Sequence, residues 1–313
     1  MWDTPEGFRS GFVAVAGRPN VGKSTLINAL LGQKVAAVSP KPQTTRRRQL
    51  GILTTEQGQI IFIDTPGIHR PLHKLGHSLN YEAEQALEEA DVVLFMVDAS
   101  QWPGPEDQMV AENIQRLAPS TPVLLALNKA DLVEPSARPA REERYHALLP
   151  RAETLWISAL TGENLDALRT RLLELLPEGP PYYDPDQITD LYERDIAADL
   201  IREAALLHLR DEVPHSIAVR IDEYKERGET GAYIAATLFV ERESQKGIVI
   251  GKGGSMLKKI GTTARQAIEA MSGRKVFLDL RVKVRKNWRN DEAILRQFGF
   301  ALPPKGKKTR RRR

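Results

Sequence analysis

Nine residues near the amino terminus, GRPNVGKST at 17–25, constrain this chain more than any other stretch. Gly17, Gly22, Lys23 and Ser24 fit the pattern G-x-x-x-x-G-K-[ST], with Arg18, Pro19, Asn20 and Val21 between the glycines and Thr25 following. The context matters as much as the pattern. GFVAVAG (11–17) is an apolar run rich in β-branched residues, which predicts a buried strand, and KSTLINALLG predicts a helix stopped by Gly32. A strand, a glycine loop and a helix in that order place backbone N–H groups and a helix N-terminus around phosphate. Lys23 can then reach the outer phosphates, and the Ser24 hydroxyl can bind Mg²⁺.

Four more apolar runs predict buried strands: QIIFID (59–64), DVVLFMVDA (91–99), PVLLALN (122–128) and TLWIS (154–158). Helical stretches separate most of them, so a mainly parallel sheet covered on both faces is expected. Three of these strands end in chemistry. Asp64-Thr65-Pro66-Gly67 offers a carboxylate for Mg²⁺ and, at Gly67, an N–H that can sense a γ-phosphate. Asn128-Lys129-Ala130-Asp131 offers a carboxylate that can accept from guanine N1–H and its 2-amino group. Adenine has neither donor there and would leave that carboxylate unpaired. Ser158-Ala159-Leu160 offers backbone N–H groups to the base oxygen. All lie at carboxyl ends of strands, where open α/β sheets bind ligands.

The pattern breaks at LLPEGPPYYDPDQ (175–187), with four prolines and a glycine, where Tyr182 and Tyr183 are expected to pack at a junction. Beyond it the predicted order is a helix (188–209), two alternating antiparallel strands (215–224 and 232–242), a short helix, a glycine loop, a helix over 255–272 and a strand over 275–284. An amphipathic segment follows at 291–300. The second glycine loop, in VIGKGGSM (249–256), is no nucleotide pocket. Gly247 and Gly251 enclose three residues rather than four, and Met256 stands where a dinucleotide loop needs glycine. Gly251-Lys252-Gly253-Gly254 instead matches G-x-x-G, the loop with which a KH module clamps about four nucleotides. A plain helix–helix turn can carry the same four residues. Its element order and its charge favour nucleic acid: residues 246–290 hold twelve basic side chains against two acidic.

Charge divides the chain in the same way. Residues 1–190 carry net −7, residues 191–304 net +4, and the final KGKKTRRRR net +7. The basic end suits a polyanion. There are no cysteines, which excludes disulfides and thiolate–metal sites and suits a reducing compartment. MWDTPEGFRS does not read as a signal peptide, and VVLFMV (92–97) is far too short to span a bilayer, so a cytoplasmic protein is expected. His69, His73 and His77 are spaced four apart, but Pro71 and Gly76 interrupt any helix that would align them as metal ligands. No heptads appear, and a monomer is expected.

GRPNVGKS, DTPG, NKAD and SAL in this order resemble a translation-factor-related GTPase domain. With QTTR (43–46), DTPGIH, the ITD after the proline-rich stretch, and VIGKGG with LKKIG, about residues 8–300 resemble the Era family of bacterial ribosome-assembly GTPases. The resemblance implies an α/β P-loop GTPase domain with a mainly parallel sheet over 1–178, a linker at 179–187 and an α+β type II KH domain over 188–300. A basic tail then occupies 301–313. It implies a GTP/GDP switch in which Lys23, Gly67, Asn20 and a threonine act on the phosphates. Thr45 is expected to join Ser24 and Asp64 on Mg²⁺, with Thr44 as the alternative. Asn20 resembles the asparagine that holds K⁺ in some relatives. Ile68 stands where other GTPases carry a water-orienting glutamine, so slow intrinsic hydrolysis is expected.

The same resemblance implies that RNA is gripped by Ile248, Ile250, Gly251, Lys252, Gly253, Gly254, Lys258 and Lys259. The partners would be the 3′ end of 16S ribosomal RNA and the 30S subunit rather than DNA, with peripheral inner-membrane association. The alternative is an RNA-modifying or other RNA-associated GTPase working with a partner enzyme, against which the absence of cysteine counts.

Overall fold

The computed structural model describes residues 5–39, 41, 44–228 and 230–304. Strand β1 (Arg9–Ala16) runs into the first glycine loop and helix α1 (Lys23–Leu31), which stops at Gly32 in a left-handed conformation with φ 67°. Strands β2 (Gln49–Thr54) and β3 (Gly58–Asp64) form a hairpin. Then come α2 (Lys74–Glu89), β4 (Val92–Asp98), α3 (Pro105–Leu117), β5 (Val123–Asn128), α4 (Arg138–His146), β6 (Glu153–Trp156) and α5 (Leu165–Leu175). The strands lie in the order β2-β3-β1-β4-β5-β6, all pairs parallel except β2–β3. The chain leaves β1 for β3 on one side and returns past it to β4 on the other, which sets the glycine loop at the switch in direction. One face packs Ala83, Val110, Ile114 and Tyr145 from α2, α3 and α4. The other packs Leu26, Ile27, Leu168 and Leu172 from α1 and α5. Burial on both faces explains why β3, β4 and β5 read as unbroken apolar runs.

Strand β2 was not among the predicted strands. QLGILT is short, opens on a glutamine, and forms the antiparallel edge of the sheet. Its free edge also captures the chain beyond the proline-rich stretch. Residues 188–190, expected at the start of a helix, lie along β2 instead. Gly51 bridges Thr189, the Ile52 N–H donates to Ile188 O (2.8 Å), and the Leu50 N–H donates to Asp190 Oδ1 (2.8 Å). Edge N–H groups that would otherwise lack partners are thus covered. The proline-rich stretch is tied down as well: Gln59 Nε2 donates to Tyr183 O, and Tyr182 packs its ring 5.2 Å from that of Phe12.

The second body begins at α6 (Glu193–His208) and continues through β7 (Ala218–Arg227), β8 (Gly231–Val240), α7 (Glu243–Ile250), α8 (Ser255–Ser272), β9 (Lys275–Val284) and α9 (Glu292–Gln297). Its sheet has the order β7-β8-β9, antiparallel between the first two and parallel between the last two. Ala204 of α6 and Ile260, Ala264 and Ile268 of α8 pack on one face with Ile234 and Leu238. This is the predicted order of the C-terminal elements.

A further core joins the bodies. Leu75 and Leu79 of α2 pack with Phe239, Trp288, Ile294, Leu295, Phe298 and Phe300. Trp288 is fully buried and donates its indole N–H to Ser216 O at 2.8 Å. Among the described residues no helix is long and apolar enough to cross a membrane. Gln43 and the expected basic tail beyond Pro304 lie outside the described residues.

Candidate nucleotide site and nucleic-acid groove

The carboxyl ends of β1 and β3 meet α1 and the segment before β2 around one cleft of about 60 Å³. It is lined by Pro19, Asn20, Gly22, Lys23, Ser24, Thr25, Thr44, Thr45 and Gly67, together with Ala37, Val38 and Ser39. Gly22 has φ 106°, and a Cβ there would fall 2.4 Å from Asn128 Nδ2, so only glycine lets the loop close so tightly. Gly67 approaches as closely, since its Cβ would meet Pro19 N at 2.6 Å. Lys23 is buried, with its ammonium on Gly17 O and Arg18 O at 3.1 Å each. Burial pulls its pKa down to about 8 against the opposing pull of Asp64.

Three oxygen donors converge beside it. Ser24 Oγ lies 3.0 Å from Asp64 Oδ2 and 2.9 Å from Thr45 Oγ1, and Thr45 Oγ1 lies 3.3 Å from Asp64 Oδ2. Asp64 is fully buried, and its second oxygen, Oδ1, has no protein partner. Burial pushes its carboxyl up, opposed by Lys23 and by hydrogen bonds from Ser24, Gln49 and Thr45. Two hydroxyls and a buried carboxylate with an unused oxygen are the hard donors Mg²⁺ takes when phosphates supply the rest. Thr44 points elsewhere, with its hydroxyl on Ser39 Oγ and Lys41 O at 2.8 Å each. Gln49 Nε2, 3.1 Å from Asp64 Oδ2, is a positioning residue that the sequence did not expose. The polar residue opening an apolar run was its only signal.

The base-side residues form a second cluster bonded to the first. Asn128 donates Nδ2 to Val21 O (2.7 Å) and accepts at Oδ1 from the Ala159 N–H (2.9 Å), which fixes both loops to one side chain. Ser158 Oγ donates to Asp131 Oδ1 at 2.6 Å and orients the exposed carboxylate. Lys129, left-handed with φ 66°, sets its ammonium 2.7 Å from Asp98 Oδ2. Ser158-Ala159-Leu160 follows β6 beside this cluster. Ser158 N–H donates to Glu163 O and Ala159 N–H to Asn128 Oδ1, while the Leu160 side chain is exposed. Arg18 is drawn aside onto Asp107 (3.2 Å) and Gln101 (3.2 Å). Ile68 is buried in the core and His69 Nδ1 contacts Gly67 O, so no side chain in this pair presents a carboxamide to water.

The segment that carries Thr45 also reaches the second body. Arg46 donates to Ile217 O (2.6 Å) and His215 O (2.8 Å), Arg47 to Phe298 O, and Arg202 of α6 returns a bond to Thr44 O. Glu203 of α6 accepts from Lys34 (2.6 Å) and from the Val38 N–H (3.2 Å). These contacts, unread in the sequence, surround the cleft with groups from α6.

In the second body α7 ends at Gly251 (φ 73°), and Gly253 (φ 60°) and Gly254 (φ 80°) turn the chain into α8. A Cβ at Gly253 would meet nothing within 4 Å, so the loop presents bare backbone outward. Lys252, Lys258 and Lys259 are exposed around it. A groove runs between α8 and β9, lined by Gly254, Leu257, Lys258, Gly261, Arg265 and Leu280 among others. The apolar floor is therefore leucine from α8 and β9. Ile248 is exposed, Ile250 is half-buried, and Val249 belongs to the core, because α7 turns only one face inward.

Fold and site together define a P-loop GTPase joined to a KH module. Residues 12–129 match the model of a 50S ribosome-binding GTPase, and residues 212–289 match that of a KH domain. The chain is 47% identical over 295 residues to GTPase Era of Heliobacterium modesticaldum, covering 94% of this chain and 98% of that one. It is also 47% identical over 294 residues to GTPase Era of Carboxydothermus hydrogenoformans, with the same coverage. A crystal structure of Era with MgGDPNP and nucleotides 1506–1542 of 16S ribosomal RNA superimposes with TM-score 0.89 at 46% identity. A point variant of Aquifex aeolicus Era bound to GDP·AlF4⁻ superimposes with TM-score 0.89 at 45% identity. Each covers 94% of this chain and 100% of its own. The chain belongs to the Era family of GTPases.

Proposed function

We propose that this GTPase is a switch whose nucleotide state sets the grip of its KH groove on the 3′ region of 16S ribosomal RNA during 30S subunit assembly and rRNA maturation, in the cytoplasm. One observation carries the coupling: residues 44–47 hold Thr45 against Ser24 and Asp64 while Arg46 and Arg47 bond the second body. The Era relative crystallised with MgGDPNP and a 16S rRNA fragment supports the choice of ligands. In this assignment Lys23 and the N–H of Gly67 bind the terminal phosphates, and Ser24, Thr45 and Asp64 hold Mg²⁺. Once bound, Mg²⁺ neutralises charge developing on the phosphate oxygens. Asp131 reads guanine, with Asn128, Lys129 and the Leu160 N–H around it. The module bounds are 1–178 and 188–300.

Since Ile68 cannot orient water, positive charge near Asn20, whose left-handed φ of 65° brings it to the mouth of the loop, is assigned to K⁺. GTP turnover that is equal in K⁺ and Na⁺ buffers overturns the ion. The coupling is tested by fluorescence anisotropy of an rRNA 3′ fragment with the protein held in GDP or in GDPNP. Different affinities are expected, and equal affinities refute the switch.

A further inference from the structure

The three-stranded sheet has a second face. Its helix side carries the core. On the reverse, Lys225, Tyr233 and Phe277 stand abreast across β7, β8 and β9, and Arg220, Thr237 and Arg281 form another row. Tyr233 and Phe277 stack with ring centroids 5.8 Å apart, and the Arg227 guanidinium lies 5.0 Å above the Tyr233 ring. Phe277 is 65% exposed. A phenylalanine left in solvent on a strand whose alternate residues, Val276 to Val284, turn toward the core is not explained by packing. One end of this face, at Ala218 and Phe239, is covered by the core that joins the bodies, and the aromatic end is open.

Charge indicates what the open end would take. Register places six basic side chains on this face (the four already named with Lys275 and Lys283) against three acids, Asp222, Glu223 and Asp279. A flat aromatic pair within net positive charge suits a base stacked on rings with its phosphates on arginine and lysine. Position adds a second argument. Strand β9 is the sheet edge, and its Leu278 and Leu280 line the groove while Phe277 and Arg281 lie on the reverse. Neighbouring residues of a strand are only about 3.3 Å apart along it, so a polynucleotide leaving the groove crosses one strand to reach the aromatics.

We propose that the outer face around Tyr233 and Phe277 is a second single-stranded RNA platform, reached by folding the strand over β9. The proposal extends the groove assignment and rests on it. RNA oligonucleotides of about four nucleotides, the span a KH loop clamps, and of about twelve, within single-strand site sizes, are titrated against the full chain by anisotropy. Phe277→Ala is expected to leave the short strand unchanged and to weaken the long one by about tenfold, as loss of one stacking partner does, and Phe277→Trp is expected to restore it. The exposed position keeps folding intact, checked by an unchanged thermal midpoint. If Gly253→Asp weakens both strands while Phe277→Ala weakens neither, the platform is overturned and the groove stands. If Gly253→Asp leaves the short strand bound as before, the groove assignment falls and this extension with it. If Phe277→Ala changes only the sedimentation of the protein, the face belongs to a second copy and the proposal is wrong.

Discussion

Lys23 shows how much one side chain can encode about a ligand. Burial lowers its pKa to about 8, although two carbonyls and Asp64 lie nearby. Phosphate beside the ammonium favours the charged form, so the bound pKa is higher than that of the free protein. The sign is then set: below pH 8 both states carry the proton and affinity is flat, and above it binding must take one up. GTP affinity is therefore expected to fall by up to about tenfold per pH unit above pH 8, read by titration calorimetry in buffers of different ionisation enthalpy. Absence of proton uptake at pH 9 contradicts this. Asp131 acts by a different route. Asp131→Asn replaces an acceptor held by Ser158 with a donor facing two donors. GTP affinity should drop by about a hundredfold, the loss of two hydrogen bonds to a charged group, while RNA binding stays. Both residues could be singled out in the sequence because each stands in a motif of fixed spacing, G-x-x-x-x-G-K-[ST] or N-K-x-D, at the end of an apolar run. Gln49 could not, because its function depends on a strand register that only the fold supplies.

Elements were legible where one physical signal dominated. Strands buried on both faces announced themselves by apolar runs, and β9 was delimited by its alternation at Lys275–Val284. The segment 188–190 reads as helix because its partner is the edge of β2, over a hundred residues away, and local propensity does not see it. The contacts around Arg46 were hidden for the same reason: their partners lie over 150 residues away, and Arg46 is buried with burial lowering its pKa well below the usual value. Arg46→Ala leaves the carbonyls of Ile217 and His215 without their donor, a cost of about 2–4 kcal/mol for buried groups. The expected result is faster amide exchange in residues 214–218 and 292–300, with β4 and β5 unchanged. Trp288→Ala empties the centre of the joining core and should destabilise the chain by about 3–5 kcal/mol, measured by denaturant unfolding followed in that same exchange window.

At the scale of the molecule, acidic and basic halves share one chain. The acidic half surrounds the nucleotide loops, and the basic half holds the groove and the sheet face. RNA affinity should therefore fall steeply with salt, by a log–log slope of roughly 0.7 for each phosphate contacted. Removing residues 305–313 takes away seven positive charges, so the slope should shrink by up to about five with GTP turnover unchanged. An unaltered slope would show that the final residues touch no RNA.

Glu203 and Glu292 receive Lys34 and Lys74 through carboxylates, but six other bonds between the bodies share a property: their acceptors are main-chain oxygens. Arg46 bonds Ile217 and His215, Arg47 bonds Phe298, Lys41 bonds Leu209, Ser78 bonds Ala301, and Arg202 bonds Thr44, all through C=O. A carbonyl cannot be mutated away. At these six bonds the receiving surfaces can drift in side-chain identity, to suit a different RNA, provided the backbone keeps its path and Glu203 and Glu292 keep their carboxylates. The vulnerable positions are the few donors, five of the six bonds being given by residues of the first body. A chimera that joins residues 1–190 to the C-terminal portion of a diverged relative should still dock its halves, which makes the RNA-reading half an exchangeable part.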